Sequence, residues 1–366
     1  MRIAFIGQKG IPCTWGGVED FVEQVSTRLA RRKHQVYVYC RPYYTQIQGD
    51  YQGVQLLKLP SLKTKYGDAL SHTLFSSLHS IFRQYDIIHY QALGPASLSF
   101  IPRLLGRTKV VATLHSLDWK RDKWSPLAKK IFRLAEKPAV HFPHQVTTVS
   151  GGLKEYLEKK FGKEIERIFT GISPPVKREP DRISQFGLRS GKYLLFLGRL
   201  VPEKGCHFLC EAFKELNSDL KLFIAGEGQF ASNYVTSLKK YASARIIFGG
   251  WADQELKEEL FSNCLAFLLP SEVEGFPHTI LEAFSYGKPV LASDIPENKE
   301  ALGPFQLTFR SADIKDLAQA LQNLLKSEPS PNGLPKMRKE YVQKNFSWDK
   351  TVDDLERIYY SLLSRN

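Results

Sequence analysis

Glu274 and Glu282 stand eight residues apart within EVEGFPHTILEAFSYGKP, the stretch from Glu272 to Pro289. Glu274 sits at a turn marked by Gly275, and Glu282 falls inside Ile280-Leu281-Glu282-Ala283-Phe284, a run that is otherwise apolar. A charge in such a run needs a partner to replace the water it loses. A carboxylate can accept hydrogen bonds from two neighbouring hydroxyls, as on a ribose. Glu274 can do the same for the hydroxyls of a sugar ring. Pro277 suits the first turn of a helix, and amides exposed at that helix start favour an anion, usually phosphate. The plainer alternative makes Glu274 a solvated loop residue and Glu282 a helix-dipole or salt-bridge residue.

A second cluster, GRLVPEKG, places Arg199 directly after an apolar strand and Lys204 five residues on, between glycines. A departing diphosphate needs positive charge where it leaves. A guanidinium fork and an ammonium point charge supply it. No Asp-x-Asp pair occurs anywhere in the chain, so a diphosphate-holding metal is not expected here. Nine histidines include no His-Glu-x-x-His, and RIAFIG is not followed by Gly-x-Gly-x-x-Gly, which leaves a dinucleotide oxidoreductase without its fingerprint.

Positioning these groups requires strands that deliver them. RIAFIG, HQVYVYC, YDIIHY, KVVATLH and QVTTVS in the first half are short apolar runs separated by helical stretches. YLLFLG, LKLFIAGEG, ARIIFGG, CLAFLLPSE and KPVLASD repeat the pattern in the second. Buried parallel strands read this way. The fold expected is α/β, two facing Rossmann-like domains with the site in the cleft between them, since ligands of such sheets sit at the carboxyl ends of the strands. Domain boundaries are expected at 1–175 and 176–345, with a Pro- and charge-rich linker at GISPPVKREPD. A C-terminal amphipathic helix over 346–366, capped by Ser347, is expected to return to the first domain.

GRLVPEKG, the Glu274-x7-Glu282 spacing and SYGKPVLASDIPENKE together resemble the donor-binding half of retaining glycosyltransferases of family 4, which have the GT-B fold. GQKGIPCTWGGVEDFVEQVSTRLARRKHQVYVYCR resembles that family's N-terminal Gly-Gly-x-Glu region, and TLHSLDWKRDKW a rhamnosyltransferase-like subgroup. The resemblance covers nearly the whole chain. It implies that Arg199 and Lys204 hold the diphosphate, Glu282 the ribose and Glu274 the transferred sugar. Amides of Gly275, Phe276 and Thr279 would contact sugar or phosphate. Gly16 and Gly17 would let backbone approach donor and acceptor, and His115 would contact the donor sugar or nearby acceptor. A histidine after a strand has a structural reading as well. Two departures stand out: TGISPPV where the family reads Asn-Gly-Val, and Pro277 where Gly commonly follows Glu-Gly-Phe.

The function expected is transfer of a sugar, with retention and without a metal, from a nucleoside-diphosphate sugar to a glycan or lipid-linked acceptor in cell-surface polysaccharide synthesis. No cofactor beyond the donor substrate is expected. A sugar-nucleotide 2-epimerase is the rival enzyme, with Glu19 or Asp118 as its acid or base; a non-catalytic sugar-nucleotide sensor is the other rival.

Charge adds a partner. Residues 1–175 hold 26 Lys/Arg against 13 Asp/Glu, while 176–366 hold 25 of each. WKRDKWSPLAKKIFRLAEK, from Trp119 to Lys137, interleaves basic residues with tryptophans, a pattern that suits an anionic membrane surface. An ordinary amphipathic helix packed on the first sheet reads equally well. Nucleic acid is not expected, because no recognised binding module accompanies the charge. Five scattered cysteines and no spanning segment suggest the cytoplasm, with peripheral attachment to the inner face of the plasma membrane.

Overall fold

The short apolar runs form parallel strands in two sheets. The computed structural model describes residues 1–14, 16–64, 67–120, 124–228, 232–326 and 333–364. One compact unit comprises Met1–Gly171 with Ser347–Asn366, and the other Ile172–Phe346. Both are Rossmann-like α/β domains.

The first unit contains β1 (Arg2–Ile6), β2 (Gln35–Cys40), β3 (Asp50–Tyr51), β4 (Val54–Lys58), β5 (Ile87–Gln91), β6 (Lys109–Leu114), β7 (Gln145–Thr148) and β8 (Glu166–Arg167). They run β3-β4-β2-β1-β5-β6-β7-β8, all parallel except the β3–β4 pair. Its helices are α1 (Gly17–Arg31), α2 (Gly67–Ile81), α3 (Leu93–Ala96), α4 (Phe100–Leu105), α5 (Pro126–His141) and α6 (Gly151–Phe161). The second unit holds β9 (Tyr193–Leu197), β10 (Lys221–Ala225), β11 (Ile246–Gly250), β12 (Ala266–Leu269), β13 (Val290–Ser293) and β14 (Thr308–Phe309), in the order β11-β10-β9-β12-β13-β14. Its helices are α7 (Cys206–Lys214), α8 (Ser232–Lys239), α9 (Gln254–Asn263), α10 (His278–Ser285), α11 (Pro296–Leu302), α12 (Ile314–Lys326) and α13 (Leu334–Asn345).

Helix α14 (Trp348–Ser364) then belongs to the first unit. Its Trp348, Val352, Leu355, Ile358 and Tyr359 join Phe21, Val25 and Leu29 of α1 in one core on β1 and β2. Ser347 Oγ accepts from Lys350 N–H at 3.2 Å, capping the helix. Arg357 pairs with Glu166 at 2.6 Å, and Thr351 Oγ1 donates to Phe169 O at 2.8 Å.

The units divide between Gly171 and Ile172, ahead of the boundary expected after Pro175. The reason lies in the Pro-rich stretch itself, which is not a free linker. Ile172 N–H donates to Phe346 O at 2.7 Å. Arg178 N–H donates to Ser262 Oγ, and Asn263 Nδ2 to Arg178 O, which fasten the segment to α9 and its end. Arg178 also pairs with Glu258 at 2.7 Å.

Candidate active site

Strand order explains which residues can meet. β9 and β12 are hydrogen-bonded neighbours, so the loops leaving their carboxyl ends lie side by side. The β9 loop carries Arg199 and Lys204, and the β12 loop carries Glu274. Lys204 Nζ pairs with Glu274 Oε1, with side-chain exposures of 15% and 8%. Glu272 N–H donates to Glu203 O at 2.9 Å, stitching the same two loops through backbone. Arg199, on the Lys204 loop, is exposed.

Gly205 closes the β9 loop at φ 67°, and a Cβ there would stand 2.0 Å from Pro270 O. Only glycine combines that left-handed backbone with so close an approach to β12. Gly205→Ala is therefore expected to destabilise the second unit by about 2–4 kcal/mol. Urea denaturation of the two proteins checks this; equal midpoints would mean that the loops do not press on each other as described.

Beyond Glu274 the chain turns through Gly275 and Phe276 into α10. Pro277 precedes the first helical residue, His278, and so stands at the cap position, one step before the first turn expected of it. The His278 and Ile280 amides are taken by Phe276 O and Pro277 O at 3.0 and 3.1 Å. Among the described residues, the Gly275 and Thr279 amides have no backbone acceptor. The Phe276 ring is buried, 5.8 Å from the ring of Phe346, which leaves its backbone as the part turned to the loop. Glu282 carries a salt bridge, as its plainer reading anticipates: Lys257 of α9 meets it at 2.8 Å, both side chains about a quarter exposed.

In the first unit, Gly16 has φ 113° and Gly17 opens α1; a Cβ on Gly17 would meet nothing within 4 Å. His115 follows β6. Its Nε2–H lies 2.8 Å from Gln91 Oε1 at the end of β5, and its ring meets Phe21 of α1 edge-on at 5.1 Å. Below it, His89 is fully buried between Tyr359 OH at 2.7 Å and Thr113 Oγ1 at 2.6 Å. Burial, with His115 nearby, pushes His89 down to about 3. Glu19 is buried and accepts the Lys9 N–H at 3.1 Å, and Glu23 accepts Cys13 N–H and Tyr51 OH. The i, i+4 pair on α1 thus pins the loop that precedes it.

The structure brings Lys204 to Glu274 and shows two partners that sequence reasoning missed, Lys257 and Gln91. Gln91 left a signal, a polar residue ending the buried run IIHYQ. Lys257 left none, sitting in the charged helix QELKEELFSN.

The start of the basic stretch after β6 follows the packed one of its two readings. Arg121, Asp122 and Lys123 lie outside the described residues, as does the Lys120 side chain. Trp119 and Trp124 are half-buried, not displayed. Trp119 Nε1 donates to the buried Glu136, which also takes Lys160, and the Trp124 ring packs on Phe132 at 5.0 Å. No helix among the described residues is long and apolar enough to cross a membrane.

Residues 15–174 match the family described as Glycosyltransferase Family 4, and residues 179–346 that described as Glycosyl transferases group 1. The chain is a glycosyltransferase with a family 4 domain followed by a group 1 domain. This glycosyltransferase is 23% identical over 378 residues to the O-antigen chain mannosyltransferase C of Escherichia coli, 99% of each chain being covered. Its fold matches sucrose-phosphate synthase from Thermosynechococcus elongatus over 100% of both chains, with a TM-score of 0.85 and 21% identity. It also matches the Anabaena protein HepE in complex with UDP-glucose, with a TM-score of 0.80 and 18% identity over 99% of this chain and 100% of that one. Both units of this glycosyltransferase are thereby of the GT-B type.

Proposed function

We propose that this glycosyltransferase takes a sugar from a nucleoside-diphosphate sugar and passes it, with retention and without a metal, to a glycan or lipid-linked acceptor in cell-surface polysaccharide synthesis. The observation that carries this reading is the Lys204–Glu274 pair, which fixes a cation and a carboxylate at the carboxyl ends of adjacent strands with Arg199 on the same loop. The UDP-glucose held by HepE lends support to a donor of this class.

In this proposal Arg199 and Lys204 neutralise the departing diphosphate. Glu282 takes the ribose hydroxyls, exchanging its Lys257 bridge for them, and Glu274 takes hydroxyls of the transferred sugar. Amides of Gly275, Phe276 and Thr279 receive phosphate or sugar oxygens. Gly16, Gly17 and His115 serve the donor sugar and the acceptor. The bond from the anomeric carbon to the diphosphate oxygen breaks, and a bond to the acceptor oxygen forms on the same face. The acceptor proton passes to the departing phosphate. An epimerase would need an acid or base from the first unit; of its two candidates, Glu19 and Asp118, the first is already committed to the Lys9 amide. The net positive charge of residues 1–175 favours work at an anionic cytosolic membrane surface, where a lipid-linked acceptor would be met.

Thermal unfolding with UDP, GDP, ADP and dTDP, each with and without EDTA, tests the donor site. One diphosphate at 100 times its dissociation constant is expected to add about 2.7 kcal/mol, unchanged by EDTA. A shift abolished by EDTA would overturn metal independence, and no shift with any of the four would overturn the site.

A further inference from the structure

Helix α2 is built inside out. Its buried positions are His72, Thr73, Ser76, Ser77 and Ser80, while Leu70, Leu74, Phe75 and Leu78 are exposed. Three of the four inward hydroxyls are satisfied locally: Thr73 Oγ1 donates to Ala69 O, Ser77 Oγ to Thr73 O and Ser80 Oγ to Ser77 O, each at 2.7 Å, and Ser77 Oγ lies 2.6 Å from Tyr90 OH, while Ser76 Oγ is buried without a partner among the described residues. A water-facing helix of a globular domain turns its apolar stripe inward. The reversed arrangement gives up burial of four large side chains, so it calls for an apolar environment outside.

Exposed apolar side chains continue onto the neighbours of α2, although α4 and α5 bury mainly apolar residues of their own. Helix α4 packs on α2, and α3 joins α2 to α5. Eleven of the nineteen large apolar side chains exposed on the described chain lie on α2, α4, α5 or the residue following α2. Phe82 is 84% exposed, Leu104 and Leu105 66% and 67%, and Leu127 and Leu134 69% and 67%. On α5 Glu136 is buried at 0% together with Ala128, Ala139 and Val140, while Leu127, Ile131 and Leu134 are exposed.

Charge identifies the occupant. Arg83, Arg103, Arg107, Lys130, Arg133 and Lys137 are exposed among or beside these apolar residues. The helices α2, α4 and α5 contain only two carboxylates, and neither is exposed: Asp68 is held by Arg41 and Tyr43, and Glu136 is buried. Apolar side chains ringed by uncompensated cations fit the interface of an anionic bilayer. A two-fold contact with a second copy would set the same cations against each other.

We propose that the α2–α4–α5 face docks this glycosyltransferase on an anionic lipid bilayer, its leucines and phenylalanines entering the headgroup boundary and its Arg and Lys residues meeting lipid phosphates. This deepens, and rests on, the reading that the basic half works at a membrane; it keeps the α5 part of the Trp119–Lys137 stretch, leaves out its half-buried tryptophans and extends the contact to α2 and α4.

Flotation with phosphatidylcholine vesicles, with and without phosphatidylglycerol, tests it without need of turnover. The wild-type chain is expected to float with the anionic vesicles only, less so at about 0.5 M salt. A variant carrying Leu78→Ser, Phe82→Ser, Leu105→Ser and Leu134→Ser should bind about tenfold or more weakly, with an unchanged or raised thermal midpoint because those side chains are exposed. A second variant, Arg103→Gln, Lys130→Gln and Lys137→Gln, should lose about fivefold per charge and retains the test if the first folds poorly. No flotation of the wild type would overturn both the face and the membrane reading. Wild-type flotation matched by both variants would overturn the face alone. A sedimentation dimer abolished by the serine variant, with no vesicle binding, would assign the face to a second copy instead.

Discussion

Lys204→Ala is expected to lower kcat/KM by about 10^2- to 10^3-fold, the cost of removing one preorganised group from a developing charge. The same substitution should also destabilise the second unit. Lys204 is the ion-pair partner of Glu274, whose carboxylate is 8% exposed. Breaking a buried pair from one side costs about 3–5 kcal/mol, because the remaining charge is stranded. The two effects separate in a double variant. Lys204→Ala with Glu274→Gln removes the stranded charge, so stability should largely return while activity stays lost. Urea denaturation and turnover of the sugar nucleotide whose diphosphate shifts the thermal midpoint read the two quantities on the same samples. Lys204→Ala turning over within about threefold of wild type would remove Lys204 from the leaving-group site.

Acid should weaken the first unit by about 4 kcal/mol between pH 7.5 and 5. His72 and His89 are both 0% exposed, and burial lowers them from 6.5 to about 4 and about 3. Their native values lie below those of the unfolded chain. The unfolded chain therefore binds more protons as pH falls from 6.5 toward 4, and each histidine removes about 1.4 kcal/mol of stability per pH unit across that window. Above about 6.5 both are neutral in either state and contribute no slope. Urea denaturation of the whole chain at the two pH values should show the loss, and His89→Gln should shed about half of it. A midpoint independent of pH between 7.5 and 5 would contradict the burial assigned to both rings.

Ten strands are legible in the sequence because parallel strands buried on both faces must be nearly continuous apolar runs, as in YLLFL and AFLL. β3, β8 and β14, of two residues each, carry no such run, and β4, VQLLK, keeps only part of one. In the candidate site, glycine and charge mark Arg199, Lys204, Glu274 and Glu282, since turns at strand ends constrain residue type. Lys257 is invisible because its helix is charged on several sides, and its partner depends on how α9 meets α10. Helix α2 shows a different limit. Its leucine spacing reveals a helix with an apolar stripe, but spacing alone does not say which way a stripe faces. Ser77, on the opposite side, meets Tyr90 of the sheet, a contact that only the fold reveals.

The order of assembly follows from the placement of α14. The second unit, Ile172–Phe346, is an insertion within the first, whose hydrophobic core is completed by Trp348, Val352, Leu355 and Tyr359. During synthesis, Met1–Gly171 leaves the ribosome with the core between α1 and its sheet lacking the α14 side chains and must wait while the whole inserted unit is translated. The inserted unit is continuous in sequence and has its core to itself, so it can close first. The half of the protein made earliest is thus the last to be finished, and through that interval a chaperone would find its exposed surface on the N-terminal half of the nascent chain.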